Sequence, residues 1–170
     1  MISTIDVETS YQKTEQGGMD PLPFNPKNIL VSVGINDEYY FTNHSERVDE
    51  GCYYKIQAIL DQTTLLIGHN IKFDLSWLLE CGFKYNGDIY DTMIYEYLKA
   101  GGRPNIRVNL SACCDRRGLP VKQDVPKYYL KEGLGFESMP WDVVEEYGRN
   151  DVNITWELYK AQIKEMKEDV

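Results

Sequence analysis

No run of roughly twenty apolar residues, the length a helix needs to cross a bilayer, occurs in this sequence of 170 residues. Its first residues, Met-Ile-Ser-Thr-Ile-Asp, lack the basic start and apolar stretch of a secretory signal. Cysteine is scarce. Cys52, Cys81, Cys113 and Cys114 form no C-x-x-C pair, and only His44 and His69 could join them, which argues against a zinc site. Cys113 and Cys114 are adjacent and poorly placed to bond each other, so reduced, packed thiols are expected. A cytosolic protein with no membrane partner follows as the default. Internal repeats, low-complexity tracts and long linkers are also missing, and the length fits one domain over residues 1–170. Positive charge is in deficit: 18 Lys and Arg against 27 Asp and Glu leave a net charge of −9. That excludes a protein that coats a duplex through a broad basic field. It does not exclude one whose carboxylates hold divalent cations where a phosphate must sit.

What is present reads as an α/β chain. Residues Ile2 to Val7 form a short strand pattern, and Thr9 to Pro26 is a polar, Gly- and Pro-rich loop. Asn28 to Ile35 reads as a buried strand, turned at Asn36-Asp37 into a second strand over Glu38 to Thr42. Helical spacing of apolar residues runs from Val48 to Leu60. Thr64 to Gly68 is too short for a helix and apolar, as a central strand should be. A helix from Ile71 to Cys81 stops at Gly82. A strand over Asp88 to Asp91 precedes a helix over Thr92 to Lys99, and Asn109 can cap a helix to about Arg117. Pro140 can occupy the first turn of a final helical stretch through Trp156, Leu158, Tyr159, Ile163 and Met166. Three early strands followed by alternating strands and helices predict a mixed, partly antiparallel sheet flanked by helices.

Three acidic constellations stand out. Asp6 and Glu8 end the first strand two residues apart, so both side chains point to one face, about 6–7 Å apart along the backbone. Two such carboxylates can converge on a hard cation such as magnesium or manganese. Two solvated acids at a strand end are the plainer alternative. Asp74 stands among Phe73, Leu75, Trp77, Leu78 and Leu79, close to a face that should be buried. A buried carboxylate is costly unless paired or cation-bound, although an acid at a helix start can also interact with the helix dipole. Tyr147 and Asp151 share a helix face at i and i+4, with Gly148 weakening the helical propensity between them. Tyrosine's ordinary pKa of about 10 makes it a poor general base and a better orienter of water.

Taken in order, D-x-E closing the first strand, N-x-x-x-D after a later apolar strand and Y-x-x-x-D on a late helix resemble the DEDD exonuclease superfamily, in its tyrosine branch. The matching segments are Asp6-Val7-Glu8-Thr9, His69-Asn70-Ile71-Lys72-Phe73-Asp74 and Tyr147-Gly148-Arg149-Asn150-Asp151; Asp91-Thr92 also resembles a pair the family places after the next strand. The resemblance spans Ile2 to about Leu158 and is greatest to the proofreading exonuclease domains of family A DNA polymerases, including phage ones. It implies a ribonuclease H-like fold and two divalent metal ions, Mg2+ or Mn2+. It implies that Asp6, Glu8 and Asp151 hold one ion, that Asp6 and Asp74 serve the second, and that Tyr147 orients the attacking water. The implied product is a nucleoside monophosphate cut from a DNA 3′ end, single-stranded or frayed. Thr9 and Asn70 match positions that hold the terminal nucleotide. Many relatives carry an apolar wedge just after Thr9, whereas this chain has Tyr11, Gln12 and Lys13.

Other residues keep two readings. Tyr11 either stacks on a base or sits in a loop, and the loop is preferred. Asp91 is either an acid behind the metal ligands or a helix cap. Lys72, Arg103, Arg107, Arg116 and Arg117 either touch phosphate or are solvated surface charge. Trp77, Trp141 and Trp156 are expected in the core. Three competing functions remain: an RNA 3′-end trimmer of the ribonuclease D type, a non-catalytic nucleic-acid-binding module on the same fold, and an acidic interaction protein with coincidental motifs. Little chain follows the last motif, so a partner DNA polymerase or replication protein is expected to be a separate chain. In a phage setting the location would be host cytoplasm.

Overall fold

The computed structural model describes residues 1–120 and 125–168. In chain order the elements are β1 (Ile2–Thr9), β2 (Gln12–Lys13), β3 (Met19–Asp20), β4 (Leu30–Ile35), β5 (Glu38–Phe41), α1 (Cys52–Gln62), β6 (Leu65–Gly68), α2 (Ile71–Glu80), β7 (Asp88–Asp91), α3 (Thr92–Lys99), α4 (Leu110–Asp115), α5 (Val125–Lys131) and α6 (Trp141–Glu168). The main sheet has the order β5-β4-β1-β6-β7. β4 pairs antiparallel with β1 and with β5, while β6 pairs parallel with β1 and with β7. This is the mixed, helix-flanked sheet expected from the element order.

β1 is the central strand, and its alternation splits the molecule into layers. Ile5 and Val7 enter one core with Ile56, Leu60, Ile71, Trp77 and Leu78 from α1 and α2. The opposite face of the sheet is covered by α6, which packs across β1, β4 and β6. Two smaller clusters hold it: Tyr39, Phe41, Met139 and Val144 near its start, and Leu110, Cys113, Cys114, Ile154 and Leu158 around its middle. The 28-residue α6 is therefore held along its length by the sheet and by α3, α4 and α5.

Several expectations need correction. The segment from Thr9 to Pro26 is not a plain loop, because β2 and β3 pair as a short antiparallel hairpin. Two-residue strands are too short to show an alternating pattern, so sequence periodicity misses them. The helix expected from Val48 starts at Cys52 instead, behind Gly51 in the left-handed region at φ 66°, and Val48 is exposed. Trp77 is buried as expected, but Trp141 is 39% exposed. There the indole lies flat under the Arg47 guanidinium at 4.8 Å, an arrangement in which one ring face remains in water. Trp156 is half-buried against Tyr159. The four cysteines are free thiols, with Cys52, Cys113 and Cys114 buried.

Candidate active site

The site forms where β1 leaves the shelter of β6. The parallel β1–β6 ladder runs only from Ile2 to Thr4, because β6 ends at Gly68 and the chain turns into α2. The Val7 amide is thus beyond the ladder and needs an acceptor. Asp74 supplies it from α2, accepting the Val7 N–H at 3.0 Å. On the face of β1 that α6 covers, Asp6 and Glu8 meet Asp151. The ligand oxygens of these three carboxylates all lie within 4.8 Å of one another, and Glu8 and Asp151 are buried. The two acids from one strand and the acid from a helix far along the chain therefore converge, a meeting that residue spacing alone does not specify.

Burial sets the electrostatics. Asp74 is 4% exposed, and its carboxyl is pushed well above the usual carboxylate range, first by desolvation and then by the nearby charge of Asp6. Its bond to Val7 opposes that shift. Tyr147 lies one turn before Asp151 and donates a hydrogen bond to it. Burial raises the phenol's pKa far above its ordinary value, and Glu8, Asp151 and Asp6 raise it further. Tyr147 is therefore a neutral hydrogen-bond donor at any physiological pH, in keeping with an orienting role and not a general base.

The helix can bring Tyr147 and Asp151 this close to β1 because Gly148 lies between them. A Cβ at Gly148 would run into the Tyr39 ring and hydroxyl. Tyr39 is itself buried, its hydroxyl 2.8 Å from Ser32 Oγ and donating to the Val144 carbonyl at 3.2 Å. A second close approach is at Gly34 of β4, where a Cβ would stand 2.9 Å from Val152 Cγ2. The glycine that weakens the helix in sequence terms is what allows the helix to pack.

Beside Glu8 and Thr9 opens a largely apolar cavity of about 320 Å3, walled by Tyr11, Met19, Pro21, Phe73, Leu130 and Phe136. Thr9 is buried at its mouth, while Asn70 is exposed at the start of α2 with φ 63°. Tyr11, preferred above as a loop residue, is part of the cavity wall. The hairpin that carries Met19 is fastened by Trp77, whose indole N–H donates to the Pro21 carbonyl at 3.0 Å. Phe136 stands 5.7 Å from the Tyr147 ring. Met19, Leu130 and Phe136 had no sequence signal, since they come from three segments that only the fold brings together. Tyr128 and Tyr129, next to Leu130, are absent from this wall; Tyr129 packs in the core and Tyr128 is exposed.

Asp91 proves to be a cap. Its carboxylate accepts the Asn70 and Ile71 N–H groups at 3.0 Å each and the Met93 N–H at 2.9 Å, tying the starts of α2 and α3 together. Thr92 adds a 2.8 Å hydrogen bond with His69 Nδ1. The Asp-Thr pair thus positions the segment that carries Asn70 and Asp74. Among the cations, Arg117 is not solvated surface charge, since its side chain is 11% exposed and held by Glu96 and Glu165.

Hard carboxylate oxygens, three of them converging and two of those residues buried, form a donor set suited to a divalent cation. Among the described residues no helix is long and apolar enough to cross a membrane. DNA polymerase I of Borreliella burgdorferi is 27% identical over 115 residues, covering 68% of this chain and only 12% of the polymerase. Among solved structures, Brucella melitensis NrnC bound to pGG superposes with a TM-score of 0.67 at 17% identity, covering 99% of this chain and 74% of that one. The same protein with bound Mg2+ gives a TM-score of 0.64 at 17% identity and the same coverage. Escherichia coli RNase D, an exoribonuclease, gives a TM-score of 0.64 at 16% identity, covering 98% of this chain and 40% of that one. A family model described as 3′-5′ exonuclease matches residues 11–167; Asp6 and Glu8 precede that stretch and stand on geometry. With nearly its whole length matched, the chain belongs to the 3′-5′ exonuclease family of the DEDD superfamily, whose members are metal-dependent phosphodiester hydrolases.

Proposed function

We propose that the chain, acting as one domain over residues 1–170, removes nucleotides one at a time from the 3′ end of DNA, from single strands or frayed duplex ends. The observation that carries this reading is the convergence of Asp6, Glu8 and Asp151 within 4.8 Å of one another, with Tyr147 bonded to the last of them. In this reading Asp6, Glu8 and Asp151 hold one divalent ion and Asp6 and Asp74 serve a second, Mg2+ or Mn2+. When bound, such ions supply Lewis acidity to the entering and leaving oxygens of an in-line displacement.

The remaining work falls to the chain's own side chains. Tyr147, neutral because its pKa is so high, directs a water through its hydroxyl and belongs to the tyrosine branch of the superfamily. Thr9 and Asn70 hold the terminal nucleotide, and the cavity walled by Tyr11, Met19, Phe73 and Phe136 takes an unpaired base by stacking and apolar contact. Burial and the neighbouring charge of Asp6 both favour the protonated form of Asp74, which limits the repulsion among the buried acids.

DNA is favoured by the relative that aligns in sequence, a DNA polymerase. In that setting the activity would edit ends for a polymerase or other replication protein. RNA is the second reading, supported by the likeness in fold to an exoribonuclease and to NrnC bound to pGG. A 5′-labelled single strand of DNA and a matched RNA strand, each with Mg2+, Mn2+ or EDTA, separate the readings. A ladder shortening from the 3′ end of DNA, abolished by EDTA, is the expected result. Shortening of RNA alone would transfer the assignment to RNA, and two intact strands in every condition would sink the nuclease reading.

A further inference from the structure

The chain's charge is unevenly placed. Against a net −9 overall, residues 97–119 carry Lys99, Arg103, Arg107, Arg116 and Arg117 with Asp115 as their one acid, a surplus of four positive charges, which leaves −13 for the rest. Such asymmetry marks a candidate interaction surface. The fold gathers most of these cations around a cavity of about 330 Å3 lined by Lys99, Arg103, Arg116 and Arg117, together with Glu96 and Glu165.

The two acids there are already engaged. Glu96 meets Arg116 at 2.7 Å and Arg117 at 2.6 Å, and accepts from Gln162 at 2.7 Å. Glu165 meets Arg117 at 2.7 Å and Lys99 at 2.6 Å. Four cations against two acids leave the cavity with a positive surplus. The outward members are exposed. Arg103 donates its Nε to the Ala100 carbonyl at 2.8 Å, and its terminal nitrogens meet no protein acceptor among the described residues. Arg107, next in sequence to the lining residue Ile106, is exposed, and its carbonyl accepts from Arg116 at 2.7 Å. The buried Arg117–Glu96 pair fixes the cavity's inner wall, so a ligand would meet a preformed cationic surface.

Its position relative to the carboxylates follows from helix geometry. Gln162, which ties Glu96 to α6, is three turns from Asp151 and on the same face of the helix. Glu165 is fourteen residues along from Asp151, about 21 Å at the usual rise. A stacked strand rising about 3.4 Å per nucleotide covers that distance in about six nucleotides.

We propose that this cavity is an accessory phosphate-binding site for the nucleic-acid strand, gripping backbone phosphates about six or more nucleotides upstream of the 3′ end. The proposal rests on the nuclease reading for the direction in which the strand lies. It explains how an acidic chain can retain a polyanion: a local cationic grip replaces a broad basic field.

The test is fluorescence anisotropy with 5′-fluorescein oligothymidylates of about four and about twelve nucleotides across a salt series, in EDTA so that the strands remain intact. Exposed Arg103 and Arg107 are replaced together by Ala, with circular dichroism melting to verify the fold. The longer strand should bind about fivefold more weakly, and the slope of log affinity against log salt should fall by about 1.4, about 0.7 per lost contact. The ratio of long- to short-strand affinity should fall with it, and the double Arg→Lys variant should restore the slope. An unchanged slope and an unchanged ratio overturn the proposal. Because binding is read without hydrolysis, failure of the protein to cut any strand in Mg2+ would sink the nuclease reading separately.

Discussion

Two acidic clusters lie along α6, and carboxyls in them are shifted in opposite directions. In one, Asp6, Glu8 and Asp151 converge, and Asp74 lies close enough to Asp6 to feel its charge. In the other, Glu96 and Glu165 are closed in by Arg116, Arg117 and Lys99. Both clusters are buried in part, so both place carboxylates where water cannot solvate them fully. In the second, the protein supplies its own countercharge, and the acid pKa values fall. Despite burial, bonds from Arg117, Arg116 and Gln162 hold Glu96 below its ordinary range, and Arg117 and Lys99 bring Glu165 down to about 2. In the first, Asp74 is raised. The same chemical group is thus moved in opposite directions by its surroundings: Asp74, buried beside another acid, is raised, while Glu96 and Glu165, clasped by arginine and lysine, are lowered.

Substitutions can break this contrast. Asp6→Ala should slow hydrolysis about a thousandfold, a loss of roughly 4 kcal/mol of transition-state stabilisation, while leaving the melting temperature in EDTA unchanged or higher. Near-normal rates would remove Asp6 from the mechanism. Tyr147→Phe should be milder, about tenfold to a hundredfold, because only a hydrogen bond is lost. In the cation-rich cluster, Arg117→Ala removes the buried cation shared by Glu96 and Glu165, leaving Arg116 and Gln162 on Glu96, and should cost about 3 kcal/mol in urea denaturation. An Arg117→Ala protein as stable as the parent would mean that the pair is not a structural element.

Two further measurements sharpen the comparison. Mg2+ or Mn2+ at about a hundredfold over its Kd should stabilise the protein by about 2.7 kcal/mol, seen as a higher melting temperature that Asp6→Ala abolishes. The pH dependence should have opposite signs in the two clusters. Glu165, depressed from 4.5 to about 2, contributes stability above pH 4.5 that is lost as pH falls toward 2, so Glu165→Gln should flatten acid unfolding in that window. Asp74, raised, opposes folding once ionised and is relieved as pH falls, so Asp74→Asn in EDTA should raise stability at high pH and remove that relief. A Glu165→Gln protein with the parent's acid profile would show that its neighbours do not control its ionisation.

Much of this was legible beforehand, because the informative features are short-range. Asp6 and Glu8 share a strand face, Tyr147 and Asp151 share a helix face, and strand and helix periods alone place each pair. Asp74 was suspicious for standing in an apolar stretch, and it is indeed 4% exposed. What escaped depends on distant segments meeting. The base-sized cavity draws Met19 from a hairpin, Leu130 from α5 and Phe136 from the segment before α6. α5 itself was not expected; its Pro126 lies in the helix's first turn, where a proline is tolerated. Arg117 looked like solvent-facing charge because its partners, Glu96 and Glu165, are 21 and 48 residues away.

The contact between Gly148 and Tyr39 also has a consequence for α6 as a rigid shaft. A helix lying on a sheet is free to roll about its axis unless something keys it. With the Tyr39 ring seated where a side chain at 148 would project, and Val152 pressed against Gly34 one turn on, the roll angle is keyed twice. Tyr147 and Asp151 occupy neighbouring positions on that shaft, so their bearing toward β1 is set mechanically by two glycines that carry no chemistry.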